Sequence, residues 1–551
     1  MGGINKTMSI SSDSQNLRAN LRASEAAMSA VESLTAEATS LVQYSSRGRV
    51  AVIGNNEAME FATRLGGKLK AQVILIDGAV EPGVPTIPVG NRRLQIDGYL
   101  GNFRITLGEE NRPNYETATV DLILDMSEKP LLTMPVKPPG YLTTLREEPY
   151  LTQAEEQLHA LTGTFEKPKY FDYDASICAH GRAGITGCTR CIDACPTDAI
   201  SSLLEAVEVN PNLCQGGGIC ATACPSGAIR YVYPNVIDTL RNVRTLLQVY
   251  REAGGRNPVI AFIGEADSEA DTWTTDQRPA NLLTVVVEEL ASTGLEIWLS
   301  ALAYGARKVL MIDAGTMPGR VPEFLQAELA TAVSILSGLG YADDLLQSVA
   351  PGSVWQQCEI EDPADPVSDT FSAATFAGSP EKRRTALLAI DHLYQHSASA
   401  QPVISLPGQS LFGRILVDAG ACTLCMSCSS VCPSKAINAG NDIPKLEFHE
   451  SNCVQCGICA SACPENAITL EPRLIADALQ RRRAVTLHEE TPFCCINCGK
   501  AFATQSLIDN MQQKLAGHYM FQSERAKQRL LMCEDCRMVD VLQDEDAMRS
   551  V

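Results

Sequence analysis

Apolar residues in this chain fall into two kinds of stretch. Short continuous runs of β-branched and aliphatic residues, bounded by polar turns, predict buried strands at Arg49-Val50-Ala51-Val52-Ile53 and Val73-Ile74-Leu75-Ile76-Asp77. They recur at Val259 to Ile263, Leu283 to Val287 and Lys308 to Ile312. Between them, apolar positions return at helical spacing over Glu57 to Leu65, Leu295 to Tyr304 and Pro322 to Leu339. Strand and helix in alternation predict parallel α/β sheets in two separate parts of the chain. Residues 1–47 are rich in Ser and Ala, lack an aromatic anchor before Tyr44, and predict a polar arm, partly helical, that is mobile or wraps a partner.

Where this patterning lapses, cysteine takes over. A phrase of Cys-Pro, two residues and Ala-Ile occurs at Cys195 to Ile200, Cys224 to Ile229, Cys432 to Ile437 and Cys463 to Ile468. The later two close complete C-x2-C-x2-C-x3-C-P runs, Cys422-Cys425-Cys428-Cys432 and Cys453-Cys456-Cys459-Cys463. In paired runs of this spacing three thiolates hold one iron–sulfur cluster and the fourth crosses to its neighbour. One four-iron cluster is therefore expected on Cys422, Cys425, Cys428 and Cys463, and another on Cys432, Cys453, Cys456 and Cys459.

The earlier pair departs from the run. Cys188, Cys191 and Cys195 lack a cysteine three residues upstream, and the nearest is Cys178, ahead of a loop holding His180, Gly181, Gly184 and Gly187. Closing such a loop adds little entropy cost, so a third four-iron cluster is expected on Cys178, Cys188, Cys191 and Cys224. His180 is an alternative ligand, set against a solvated loop histidine. In the second half Gly217 stands where the middle cysteine belongs, leaving Cys195, Cys214 and Cys220. Three thiolates suit a three-iron cluster, or a four-iron cluster whose last iron takes an outside ligand. The alternatives are a catalytic open iron, a cluster that loses iron to oxygen, and a vestigial site.

Two C-x2-C knuckles in the tail, Cys495-Cys498 and Cys533-Cys536, make a tetrahedral all-sulfur set suited to structural zinc, with iron as the alternative. Leu507, Ile508, Met511 and Leu515 predict a helix between them. Of 21 cysteines only Cys358 and Cys494 are left over. Ligand thiolates in such number need a reducing compartment, and no secretory signal or apolar span of membrane length is evident, so a cytoplasmic protein without membrane insertion is expected. The formal charge, 45 minus 65 or -20, argues against nucleic acid as a partner.

Asp97-Gly98-Tyr99-Leu100-Gly101-Asn102-Phe103, lying between a strand-helix-strand opening and cysteine loops, resembles the flavin-bearing subunit of heterodisulfide reductase over roughly the first 230 residues. The flavin fingerprint of that family is missing, since Gly54-Asn55-Asn56-Glu57 lacks the glycine-rich turn that admits a pyrophosphate. Bound flavin is not expected. Gly294-Leu295-Glu296-Ile297 through Ala303-Tyr304-Gly305-Ala306 resembles the delta subunit of methyl viologen-reducing hydrogenase, without the cysteines that carry a two-iron cluster in that family.

The whole order resembles large bacterial four-iron ferredoxins associated with molybdenum or tungsten formate dehydrogenases. The expected architecture is multidomain α/β plus α+β. It comprises a polar arm (1–47), a degraded Rossmann-like domain (48–165), an irregular dicluster ferredoxin module (166–233), a hydrogenase-delta-like α/β domain (234–400), a regular dicluster module (401–475) and zinc-ribbon-like four-cysteine knuckles (476–551). The resemblance implies an electron-transfer subunit rather than a stand-alone enzyme, passing electrons between a redox enzyme such as formate dehydrogenase and a second carrier. The alternatives are an oxidoreductase subunit with catalysis at an open-iron cluster or a flavin, and a docking or assembly scaffold.

Overall fold

A computed structural model of the chain describes residues 6–34, 40–67, 69–80, 82–109, 115–268, 278–358, 372–440, 443–518 and 521–544. Its N-terminal sheet is parallel, with Arg49–Gly54 at the centre, Lys70–Leu75 and Thr86–Pro88 on one side, and Leu122–Asp125 and Tyr141–Thr143 on the other. Because the strands are apolar on both faces, each face needs a cover. Val50 and Val52 pack against Phe61 and Ala62 of helix Asn56–Arg64 and Leu158 of helix Tyr150–Ala160. Ala51 and Ile53 face an antiparallel sheet of Leu94–Tyr99, Asn102–Leu107 and Glu116–Val120 through Phe103 and Ile105. The Asp97 to Phe103 phrase is the tight hairpin of that sheet. Gly101 has φ +85°, and a Cβ there would overlap the Ser45 carbonyl.

A second parallel sheet orders Leu282–Val287, Val259–Gly264, Lys308–Ile312 and Leu346–Val349. Helices Val236–Glu252, Leu295–Ala303, Val321–Gly338 and Lys382–Gln395 share its core, centred on the fully buried Trp298. Helix Lys6–Glu32 lies along Val236–Glu252, burying Ala23 and Ala27, while Asn20 Oδ1 accepts the Arg256 amide at 2.8 Å. Leu41–Ser46 pairs with Gly163–Pro168. The described part of the expected mobile arm is thus docked, because alanines four residues apart let two helices approach closely.

Between and beyond these sheets the cysteine runs build small antiparallel units: Phe171–Tyr173 with Ile229–Tyr231 and Ile200–Leu203 with Ala206–Val209, then Gly413–Val417 with Ile468–Ile475 and Ile437–Ala439 with Lys445–His449. The tail adds the hairpin Pro492–Cys494 with Ala501–Thr504 and helices Gln505–Leu515, Glu524–Arg529 and Glu534–Leu542. Among the described residues no helix is long and apolar enough to cross a membrane.

Candidate iron–sulfur centres and a four-cysteine metal site

Each Cys-Pro phrase has one conformation. A short helix, Arg190–Ala194, Ile219–Ala223, Ser427–Val431 or Ile458–Ser461, precedes it. The residue before Ala is left-handed in all four: Asp198 (φ 50°), Gly227 (72°), Lys435 (52°) and Asn466 (50°). This turn swings the next amide back over the sulfur, so the Ala436 and Ala467 N–H groups donate to Cys432 Sγ and Cys463 Sγ, each at 3.3 Å. Ile200, Ile229, Ile437 and Ile468 then enter a strand with their side chains buried.

The sulfurs converge in fours. Cys422, Cys425, Cys428 and Cys463 line one cavity. Cys432, Cys453, Cys456 and Cys459 line a second, and Cys178, Cys188, Cys191 and Cys224 a third. In each, the fourth sulfur comes from the other half of the pair. Burial, reinforced by neighbouring cysteines, pushes Cys428 up to about 12 and Cys456 to about 11. Four crowded thiols, most of them partly or fully buried, cannot all ionise unaided. A cationic metal core is what such a donor set fits.

The glycine-rich insertion folds outward as a hairpin, Gly181–Arg182 with Ile185–Thr186, and returns Cys178 to the cavity. His180 also lines it, but the ring is buried rather than solvated. Its Nδ1 lies 2.9 Å from the Cys188 carbonyl and its Nε2 2.7 Å from Ser202 Oγ, so both nitrogens are engaged.

Cys195, Cys214 and Cys220 form a trio. Burial raises the enclosed Cys220 thiol first, and the charges of Cys214 and Cys195 add to it. The loop keeps the conformation of a complete run. Gly216 (φ 85°) and Gly218 (70°) match the left-handed Leu424 and Met426, and Gln455 and Gly457, that flank the middle cysteine elsewhere. A Cβ on Gly216 would strike the Tyr170 ring at 2.9 Å, and one on Gly218 the Ser292 backbone at 2.5 Å. At Gly217 itself a Cβ meets nothing nearer than Pro196 Cγ at 4.0 Å.

The two cysteine modules touch. A Cβ on Gly187 would lie 3.2 Å from Ile458 Cβ, and Cys456 feels the charge of Cys188 across that seam. Helix Lys382–Gln395 bridges them from the side. Lys382 Nζ donates to the Thr222 carbonyl and, at 3.3 Å, to that of Ala221, while Arg383 Nε donates to Ser451 O at 2.9 Å and Nη1 to Leu411 O at 2.7 Å. Nothing in the sequence marks these two cations, since a Lys-Arg-Arg run at a helix start reads as a solvated end.

Lys382 also lies 3.3 Å from Glu328 and 4.0 Å from Glu296, all three buried. Glu296 Oε2 has no hydrogen-bond partner, and burial holds its carboxyl above the usual range despite Lys382. A raised carboxyl supplies stability that is complete below about pH 4 and is lost as pH climbs toward the folded value. Glu296→Gln is therefore expected to raise thermal stability at pH 8 by about 1 kcal/mol and flatten its decline between pH 5 and 8. Paired melts of both proteins across that range check this, and an unchanged slope with a lower melting temperature refutes it.

In the tail, the sulfurs of Cys495, Cys498, Cys533 and Cys536 lie within 4.8 Å of one another and could hold a metal ion. Burial opposes the Cys495 thiolate, but the amides of Cys533, Cys498 and Asn497 outweigh it and bring this thiol down to about 6. The unit leans on the second module through Thr504 Oγ1 donating to Thr423 O (3.2 Å) and a Lys514–Glu465 ion pair (2.7 Å). Cys494 is exposed outside this set, and Cys358 is an isolated buried thiol pushed to about 11.

The first parallel sheet has no glycine-rich turn after its central strand, Gly54 being followed by Asn55, Asn56 and Glu57. Glu57 in the first turn of its helix pairs with Arg146 at 3.0 Å, and Arg146 also holds the Met126 carbonyl. Met126 and Ala58 fill the space over Gly54. A cavity of about 480 Å³ at the strand ends is lined by Asp125 and Glu128 and, among the described residues, by no Lys or Arg.

Residues 421–467 match a family model described as a 4Fe-4S dicluster domain, and residues 207–230 one described as a 4Fe-4S binding domain. Over 39 residues the chain is 46% identical to hydrogenase-4 component A of Escherichia coli (strain K12), an alignment covering 7% of this chain and 19% of that protein. The chain thus spans about a fifth of the length of that curated relative. It carries ferredoxin-type iron–sulfur domains within a mixed α/β architecture.

Proposed function

We propose that the protein is a cytoplasmic electron-transfer subunit of a redox complex, with four iron–sulfur centres in line. Cys178, Cys188, Cys191 and Cys224 would hold one four-iron cluster. A second would sit on Cys422, Cys425, Cys428 and Cys463, and a third on Cys432, Cys453, Cys456 and Cys459. Cys195, Cys214 and Cys220 would hold a three-iron or incompletely ligated four-iron cluster. Clusters of these types each take up and release one electron.

The observation that carries this reading is the seam at Gly187 and Ile458, where the two modules meet with Cys188 beside Cys456. It supports one continuous order, from the Cys195 trio to the Cys178 set, across the seam to the Cys432 set, and on to the Cys422 set. Cys425 at the far end is exposed, which suits exchange with a partner. The two parallel α/β domains, Rossmann-like and hydrogenase-delta-like in this reading, and the docked N-terminal helix brace the modules. Cys495, Cys498, Cys533 and Cys536 form a zinc-ribbon-like unit on zinc, braced against the Cys422 end. A flavin has no place in this proposal, because the turn after the central strand lacks the glycines that admit a pyrophosphate, and Ala58 and Met126 stand over Gly54.

The partner is a redox enzyme, formate dehydrogenase being the candidate from the order of domains, with a second carrier completing the path. The open position beside Gly217 favours one other reading, catalysis at an exposed iron. Anaerobic purification with iron, sulfide, zinc and flavin analysis separates these. About fifteen or sixteen irons, one zinc and no flavin per chain are expected. A stoichiometric flavin, or irons far below that count, would refute the relay.

A further inference from the structure

Helix Lys382–Gln395 begins with two cations that face opposite modules and differ in how they are neutralised. Lys382 reaches the Ile219–Ala223 helix between Cys220 and Cys224, where Glu328 and Glu296 stand beside it. Arg383 reaches the second module. It donates to the carbonyl of Ser451, two residues before Cys453, and to that of Leu411, and its guanidinium lies 4.5 Å from the centre of the Phe412 ring. Among the described residues no carboxylate lies within ion-pair distance of Arg383. Glu450, on the same turn, is taken up by Arg473 at 2.6 Å, and Arg481 by Asp391.

A guanidinium drawn out of water without an anion is strongly unfavourable. The Ser451 carbonyl that it binds lies two residues before Cys453, so the anionic group within reach of its charge is the Cys453 sulfur of a bound cluster. That sulfur also accepts a hydrogen bond from Gln455 Nε2 at 3.2 Å. Gly413 makes room for this amide, since a Cβ there would lie 2.5 Å from Gln455 Cδ. The Gln455 amide and the Arg383 charge therefore favour negative charge at one corner of the Cys432, Cys453, Cys456 and Cys459 cavity. On the first module Glu328 offsets Lys382, and a cation that acts on a ligand sulfur there is Arg190, at Cys188.

We propose that Arg383 is a positioning residue that raises the reduction potential at the Cys453 cavity. The inference rests on the relay reading. One electron enters the cavity on reduction, and no proton or bond is exchanged. An electron that reaches this cavity is thereby held there more firmly.

The test is an EPR-monitored potentiometric titration of the full-length, anaerobically purified protein with dithionite as the one-electron donor. Wild type is compared with Arg383→Lys, which keeps the charge, and Arg383→Gln, which keeps a donor without it. Arg383→Gln is expected to shift one centre downward by about 59 mV or more, a tenfold change for one electron. Arg383→Lys should stay within about a third of that shift, and the remaining centres should not move. If the Lys and Gln variants titrate together, or all centres move alike, the proposal falls. Iron and sulfide analysis of each sample keeps the two ideas apart. A wild type lacking irons on the second module overturns the relay reading, whereas full occupancy with an unmoved potential overturns only the role of Arg383. Should Arg383→Gln fail to assemble, Gln455→Leu removes the amide from the same sulfur and is expected to lower the same centre. An unmoved potential there counts against the proposal.

Discussion

Gly217→Cys is expected to add about one iron per chain and to abolish the oxidised three-iron EPR signal, replacing it with a four-iron signal that appears only on reduction. The reason lies in the loop rather than in the missing side chain alone. Gly216 and Gly218 hold the left-handed conformations that flank Cys425 and Cys456 in the complete runs, and the space over Gly217 is open to 4.0 Å. A cysteine there would enter a backbone already shaped for a ligand. Gly216 and Gly218 tolerate no such change, because Tyr170 and Ser292 press on them. Were the trio a vestigial site, Gly217→Cys would leave iron content and spectra untouched, and that result would remove this centre from the relay.

Cys456→Gly is the reciprocal change and should have the larger effect on electron flow. It recreates the Gly217 situation in the cavity that meets the first module, where Cys456 lies beside Cys188 and Ile458 beside Gly187. We expect loss of between about one and four irons per chain and a fall of at least about tenfold in the rate at which an electron passes between the two pairs. Freeze-quench EPR after mixing with a limiting reductant measures this directly. An unchanged rate with iron lost would mean that the two pairs do not exchange electrons across the seam, and each would then serve a separate partner. Thermal stability should change little beyond the loss of the cluster, since Cys456 is only partly buried.

Much of the scaffold is legible in the residue order. Continuous apolar runs such as Val259 to Ile263 predict strands covered on both faces, and they form the interiors of parallel sheets. In the two complete runs the cysteines that line each cavity stand at the run spacing, because the Cys-Pro phrase repeats one local turn, whereas Cys178 lies outside that spacing and reaches its cavity past an inserted hairpin. Local chain geometry of this kind is written in the sequence. The antiparallel sheet over Phe103 is not, because its strands are half polar and carry no continuous apolar run. The N-terminal helix reads as an arm because the alanines that dock it, Ala23 and Ala27, carry a weak apolar signal of their own.

By itself, then, the sequence determined the cysteine loops, the gap at Gly217, the four-cysteine tail and the apolar runs of the two α/β cores, all read from spacing within each loop, strand or knuckle. Tertiary structure alone decided the rest. It brought Cys188 to Cys456, placed Lys382 against the first module and Arg383 against the second, and put Glu296 and Glu328 around one buried amine. These meetings join residues from 54 positions apart, Glu328 and Lys382, to 268 apart, Cys188 and Cys456, and no periodicity encodes them. They follow from how separately folded units bury their remaining apolar surface against one another, which is a property of shape that a linear pattern does not carry.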